Sequence, residues 1–500
     1  VGGSEAAKST NGGNSWNLTA QWTNEKSTNY IHQDVKRYYF IPSIDSSILA
    51  LTDGGIFKSL NLGATWTNIS KGINIAQIYR ICNHPNSPDT IIIGQQDCAT
   101  NRFVLNDSTM KQIFGGDGMQ SLFDPNLPST LFVCGAYGNL QKSKDGGKTF
   151  SLASPGQCMW IAPYAMNPKN SKTMYIGAKI GVRKSTIGGE FMSWTTMSTS
   201  PILDSVIAIG VSDADTNVVY AAKSNKIVRS DDGGNTWVNV TAGLPTSSAS
   251  ISYLEVSATD RNRVYVCFSG YSAQNKIFVS TNGGTSWDNY SGSLSNVPVN
   301  CILHLNDSPT NEVFAGTDFG IYYRNSNLND WISFNAGLPN VIVNHLQIEK
   351  SSKKLRAGTY GRGLWEYNLP NNESSILPVN DLHKTLTDDA KIIAKTNTRN
   401  ERNIQGQPLL QSKNPYQQII NLYPNPAKSK SYLESLYNLD QFNIKLYSAE
   451  GKDFSNSLVI DRMGEKGCLL KWDQICPGLY YVVLVNGTDV FASAKLSVNP

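Results

Sequence analysis

Three aspartates sit where a carboxylate could do chemistry. Asp97, Asp117 and Asp318 each fall in a turn at the end of a strand-like run. Two carboxylates facing one another across a cleft are what hydrolysis of a glycosidic bond requires. Turn aspartates are also commonly consumed by nearby backbone N–H groups, which gives the same residues a purely structural reading. The phrases Gln95-Gln96-Asp97, Gly115-Gly116-Asp117-Gly118 and Gly358-Thr359-Tyr360-Gly361-Arg362 carry the same double meaning. As a ligand site they would present Gln96, Asp97, Asp117, Tyr360 and Arg362; as architecture they are turns and closure of the fold. His84, His304 and His345 fall on or just after strands of similar position, and three imidazoles could hold a metal. Hydrogen bonding within a lining is the simpler account, so neither a metal nor another cofactor is expected.

These residues are carried by a repeat. Ser-x-Asp/Asn-x-Gly-x-Thr/Ser followed by Trp or Phe occurs as STNGGNSW (Ser9–Trp16), SKDGGKTF (Ser143–Phe150), SDDGGNTW (Ser230–Trp237) and STNGGTSW (Ser280–Trp287). Degenerate copies are SLNLGATW (Ser59–Trp66), STIGGEFMSW (Ser185–Trp194) and RNSNLNDW (Arg324–Trp331). Asn11, Asp145, Asp232 and Asn282 are placed to fold an Asx-type turn. The following glycines supply positive φ. Trp16, Phe150, Trp237 and Trp287 then open the next strand and fill an apolar layer. Each box follows a short apolar strand and a β-rich strand-turn-strand run and precedes one further short strand, so a unit of about 40 residues holds four strands, one blade of a propeller.

Units read as 35–70, 77–117, 119–154, 158–197, 205–240, 251–290 and 299–335, with three further strands over 343–368. Joining residues 1–20 to that last group would complete a blade and seal the ring. The expected fold is therefore an all-β propeller over 1–370, with eight blades, or seven as the alternative count. A second alternative has Val1 beginning mid-blade after an upstream portion.

Composition agrees with many short strands: Gly is abundant at 41 residues, and only 16% of residues are charged. A net charge of +4 with scattered Lys and Arg gives no basic stripe for nucleic acid. No apolar run approaches the roughly 18–20 residues that span a bilayer. No signal peptide is visible at Val1, so either one has been removed or upstream sequence is missing. Eight Cys show no zinc spacing; Cys468 and Cys476 are close enough in sequence to bridge in an oxidising compartment.

The boxes resemble those of the BNR/Asp-box superfamily, and phrases such as NIAQIYRICNHP, IIIGQQDCATNRF, GGDGMQSLFDP and AGTYGRGLWEY resemble sortilin-like repeat proteins secreted by Bacteroidota. That resemblance implies the propeller and says little of activity, because the box occurs on enzymes, receptors and scaffolds alike. Sialidase chemistry would need an Arg triad, yet Arg is sparse and no Arg-Ile-Pro phrase precedes the first box.

Beyond Leu369 the composition shifts. Residues 371–418 read as a polar linker, with one short helix over 381–395, and a small β-sandwich of Ig-like type over 419–500. Tyr423-Pro424-Asn425-Pro426, Gly451-Lys452 and Pro477-Gly478-Leu479-Tyr480 resemble the type A sorting domain of the type IX secretion system. The resemblance implies a protein secreted or held at the outer face of a Gram-negative outer membrane, with the secretion machinery as partner.

The function these features favour is a non-enzymatic binding or scaffold propeller recognising a polysaccharide or protein. A glycoside hydrolase using face carboxylates and a structural subunit of a surface assembly are the alternatives.

Overall fold

In the computed structural model, residues 3–369 are described apart from 4, 25, 42–43, 71, 74, 198–203, 307, 329 and 336. The pair 391–392 is described, as are 420–498 except 424–428, 436–437, 449–452, 464–466, 473–474, 477 and 487–488. The chain forms two compact units, Val1–Arg399 and Asn400–Pro500. The helix expected over 381–395 and most of the linker lie outside the described residues, as do Pro424, Asn425, Pro426, Gly451 and Lys452.

The first unit is all-β. Among the described residues, eight four-stranded antiparallel sheets follow one another in sequence, each a simple meander. Seven of them span Arg37–Asn68, Ile78–Phe114, Gly118–Leu152, Tyr164–Thr196, Ala208–Asn239, Ser250–Asn289 and Val299–Ser333. The eighth is built from Ile342–Glu349, Lys354–Tyr360, Leu364–Asn368 and Lys391–Ile392. Second strands such as Leu131–Gly135 and Val313–Thr317 are buried along their whole length. Both their faces meet a neighbouring sheet, which is why they read as continuous apolar runs rather than alternating ones. Among the described residues, seven of the eight fourth strands are only two residues long, leaving little edge for unwanted pairing.

First strands pack side by side in chain order from Ile78–His84 to Ile342–Glu349, and the last returns to the first, giving a propeller-like arrangement. That seam is polar. Asn83 N–H donates to Gln347 Oε1 at 2.9 Å and Asn83 Nδ2 to the Ile348 carbonyl at 3.0 Å. Asn344 Nδ2 donates to the Ile78 carbonyl at 2.9 Å. Buried Arg356 reaches across from the last sheet to Asn83 Oδ1 at 2.8 Å and to the Pro88 carbonyl, while its Nε pairs with Glu366 at 2.9 Å.

The described residues among 1–20 take no part in this closure. Ala6–Lys8 pairs with Asn17–Ala20, and Ala6 and Ala20 pack with Ile48, Ala50, Phe57 and Trp66 of the Arg37–Asn68 sheet. The strand Leu364–Asn368 is instead flanked by Lys391–Ile392. The join expected between the two ends is replaced because the N-terminal hairpin finds its apolar partner in the sheet that follows it.

Box turns show which atoms do the work. Carboxylate or amide oxygens accept from the N–H four residues on: Asn11 from Ser15, Asp145 from Thr149, Asp232 from Thr236 and Asn282 from Ser286, at 2.8–2.9 Å. The leading serine adds an acceptor for the second glycine, as Ser230 Oγ does for Gly234 N–H at 2.8 Å. Several box tryptophans also staple neighbouring sheets: Trp194 Nε1 donates to Ala153, Trp287 to Val240 and Trp331 to Tyr290, each at 2.8 Å. Trp16 differs, standing 48% exposed with its Nε1 bonded only within its own turn.

The second unit packs a four-stranded sheet against a three-stranded one around Leu433, Leu446, Leu470, Trp472, Val482 and Leu496. Gly478 opens the long strand Gly478–Asn486, and buried Tyr480 donates its hydroxyl to the Cys476 carbonyl at 2.9 Å. Cys468 and Cys476 are both free thiols, the first buried in this core and the second exposed. The bridge considered between them is not formed, because Cys468 is committed to the sandwich interior.

Candidate binding face

In a ring of antiparallel meanders, alternate loops emerge at opposite ends. The box turns join third to fourth strands and occupy one end. Loops from second to third strands, and connections into each next first strand, occupy the other. Gln96, Asp97, Asp117, Asp318, Tyr360 and Arg362 all belong to this second end.

The structure brings most of them together. The Tyr79 hydroxyl donates to Gln96 Oε1 at 2.8 Å, and the Tyr360 hydroxyl donates to the same oxygen. Burial and the neighbouring Tyr79 push the Tyr360 hydroxyl up to about 12, so it stays a donor. Trp160 Nε1 donates to the Tyr79 oxygen at 3.2 Å. The Trp160 ring meets Tyr137 edge to face, with centroids 5.1 Å apart. Tyr137 and Trp160 are 59% and 37% exposed, so this aromatic pair projects outward while its polar edge is tied from behind. Tyr137 holds φ at +58°, which is uncommon for a bulky side chain and costs about 1–3 kcal/mol. Its N–H bonds the Trp160 carbonyl at 3.2 Å and its carbonyl accepts from Cys158 N–H at 3.1 Å, which fixes the turn.

Asp97 and Asp117 meet one step round. Asp117 Oδ1 accepts the Asp97 N–H at 2.7 Å, and Asp97 itself sits at φ +54°. Burial, then the Asp117 charge, raises the Asp97 carboxyl above its ordinary value. The two loops come this close because Gly94 and Gly118 carry no side chain. A Cβ on Gly94 would lie 2.0 Å from the Met119 carbonyl oxygen, and one on Gly118 would lie 2.5 Å from that of Ala99. His32 Nε2 touches the Asp97 carbonyl at 3.1 Å, linking the N-terminal segment to this loop.

Asp318 is not part of the group: it accepts from Asn300 Nδ2 at 2.9 Å within its own sheet. Arg362 is exposed, with Nη1 on the Gly361 carbonyl at 2.7 Å and, among the described residues, no carboxylate at ion-pair distance. The three histidines stay apart, each on partners of its own. His84 lies against Phe123 with centroids 4.6 Å apart. His304 bonds Asn306 at 3.1 Å, and His345 Nδ1 accepts from Ile81 N–H at 3.2 Å. Burial lowers His304 to about 4 and His345 to about 3, so both are neutral at pH 7. Among the described residues no group of three or more His, Cys, Asp or Glu is arranged to hold a metal.

Tyr79, Tyr137 and Trp160 were not singled out by sequence reasoning. Each sits in or beside a strand pattern where an aromatic reads as core. The one available signal was Ala-Tyr-Gly-Asn at 136–139, a turn-like phrase carrying an aromatic.

Residues 421–499 match the family described as a secretion system C-terminal sorting domain. The protein is thus secreted or held at the cell surface, with the type IX export machinery as the partner of this domain. Among the described residues no helix is long and apolar enough to cross a membrane. No curated protein matched the chain. Among solved structures, the crystal structure of an ancestral GH74 enzyme aligns over 93% of this chain at 13% identity, with a TM-score of 0.41. This chain spans 62% of that protein's length.

Proposed function

We propose that this protein is a binding propeller of the Asp-box, sortilin-like type, exported by its C-terminal domain, which captures a polysaccharide at the cell surface or in the medium. In this reading residues 1–370 are the propeller region, an N-terminal sheet followed by the ring itself, with 371–418 a linker and 419–500 an Ig-like sorting domain. The ring has seven blades, from Ile78 onward, and the Arg37–Asn68 sheet stands outside it. The observation that carries the binding role is the exposed Tyr137–Trp160 pair, anchored through Tyr79, Gln96 and Tyr360. Rigid aromatic faces with a few fixed polar groups suit sugar rings, which offer C–H faces and hydroxyl edges.

The test is retention of the full chain on a panel of insoluble and immobilised polysaccharides. Trp160→Ala should weaken binding about tenfold or more, the effect of losing a central aromatic anchor. Retention by no polysaccharide, alongside saturable binding of a surface protein, would replace the sugar with a protein partner. Equal binding by wild type and the Trp160→Ala and Tyr137→Ala variants would dismiss this face altogether.

One observation favours a second reading, glycoside hydrolysis: Asp97, with a raised carboxyl, lies beside Asp117. Against it, Asp117 is occupied in holding the Asp97 backbone. Release of reducing sugar that is abolished by Asp97→Asn would establish hydrolysis.

A further inference from the structure

Behind the aromatic face, the first strands enclose a central cavity of about 80 Å³. With about 10–15 Å³ of such space needed for one water, that is room for several waters or one small polar group. Its polar wall is Arg80, Gln120, Tyr253 and His345, and its apolar wall is built by Ile161, Ile207, Ile209 and Leu254. Arg80 is the unusual member. Its Nη1 donates to the Tyr79 and Asn344 carbonyls, both at 2.9 Å, and its guanidinium lies 5.8 Å from the centre of the Tyr253 ring. Among the described residues no carboxylate lies within ion-pair distance of it.

Nearby groups do not balance this charge. Glu255, two residues beyond Tyr253, is pushed up to about 8 by burial and by Asp213, so at pH 7 it is mostly protonated. His345 adds a donor rather than a counter-charge. Because its Nδ1 accepts the Ile81 N–H, the ring proton resides on Nε2. A guanidinium in a confined space without an acid, beside a neutral imidazole N–H, is the donor set that takes a carboxylate. The isoleucine and leucine side chains opposite would exclude a fully hydrated inorganic ion and accept a short carbon skeleton.

We infer that the central cavity is a carboxylate-binding site in which Arg80 receives the anion and the apolar wall at Ile161 and Ile207 receives the carbon attached to it. The carboxylate reaches the site either as a small free acid or as a substituent on a polymer seated on the face above. Trp160 and Tyr79 directly precede Ile161 and Arg80 in the chain, so face and cavity share the same backbone. The site stands on the cavity and Arg80 and does not require the polysaccharide reading.

The experiment is calorimetric titration of the full chain at constant ionic strength with propionate, with trigalacturonate and with chloride. Saturable binding of propionate identifies a free acid as sufficient. Binding of trigalacturonate alone identifies a carboxylate borne on a sugar. Either should weaken at least about tenfold in Arg80→Met, as expected for loss of charge-assisted hydrogen bonds. Because Arg80 also braces two carbonyls, Ile207→Phe provides the independent arm: Ile207 lines the cavity, and its enlargement leaves those contacts in place. It should abolish binding with the thermal transition kept. No saturable binding of either carboxylate, chloride binding as tightly, or unchanged affinity in Ile207→Phe would overturn the inference. None of these outcomes touches retention on neutral polysaccharides, which tests the aromatic face separately.

Discussion

Arg356→Met should cost the first unit more stability than any comparable change to a surface ion pair. The Arg356 side chain is 1% exposed and holds three partners: Glu366 in its own sheet, and Asn83 and the Pro88 carbonyl on the far side of the seam. Methionine keeps much of the volume and removes every one of these bonds. Breaking a buried pair by deleting one partner costs about 3–5 kcal/mol, because the other charge is left in a poor solvent. Glu366 retains Lys354 Nζ at 2.6 Å, so the lower end, about 3 kcal/mol, is expected. The measurement is urea unfolding by tryptophan fluorescence, with hydrogen exchange to locate the effect. Protection should fall first in Ile78–His84 and Ile342–Glu349, where the ends of the ring meet, and last in Ala208–Val211 on the opposite side. Lys223→Ala, which breaks an ion pair with 60%-exposed Asp204, should cost less than about 1 kcal/mol. In the double variant Arg356→Met/Glu366→Leu the part of the deficit due to an unpaired Glu366 should be recovered, while the part due to the lost bonds to Asn83 and the Pro88 carbonyl should remain. A loss below about 1 kcal/mol in the single variant, or exchange rising evenly round the ring, would refute the idea that this residue closes the seam.

Other consequences can be read as directly. Thr236, through its hydroxyl and N–H, holds the Asp232 carboxyl at about 2 against an ordinary 3.8. A lowered folded-state value means the contribution is fully present above about pH 4 and is lost as pH falls through 2, so Asp232→Asn should flatten an acid titration of stability in that window. Gly94→Ala places a carbon 2.0 Å from the Met119 carbonyl oxygen, so adjacent sheets must part; a loss of about 1–3 kcal/mol in thermal unfolding is expected, and none if the backbones are not in contact. Trp287→Phe removes the bond to the Val240 carbonyl and should cost about 1 kcal/mol, while leaving its own turn intact by circular dichroism.

What the sequence made legible follows from how local each device is. A box turn is decided within eight residues, so Asp145 or Asn282 announces it without help from the rest of the chain. The seam is different in kind. Asn83 and Gln347 meet across 264 residues of sequence, and nothing about either side chain says so in advance. A blade shared between the two chain ends is the local way to close a ring. Here closure is made by side chains reaching between first strands. The aromatic face was hidden for a third reason. Tyr79 lies on a first strand whose neighbours Ile78 and Ile81 are core, so its hydroxyl contacts have no periodic signature.

The candidate face appears where the repeat is least regular, and that coincidence has a physical basis. The sheet Ile78–Phe114 lacks a box; its third and fourth strands turn instead through Asp107, which accepts from Thr109 N–H and hydroxyl. At its other end the loop through Asp97 and Ala99 holds two non-glycine residues at positive φ, and the next sheet holds Tyr137 there too. A sequence selected only for ring stability would place glycine or asparagine at such positions. Holding alanine and tyrosine there costs energy that the surrounding bonds offset, as it does at Leu62, Met192, Gln274 and Lys353 away from this face. Tyr137→Gly therefore separates the two roles: relieving the strained φ should leave the ring as stable as before or more so, while removing the exposed ring from the face. A clear fall in thermal stability with polysaccharide retention unchanged would instead make Tyr137 part of the architecture.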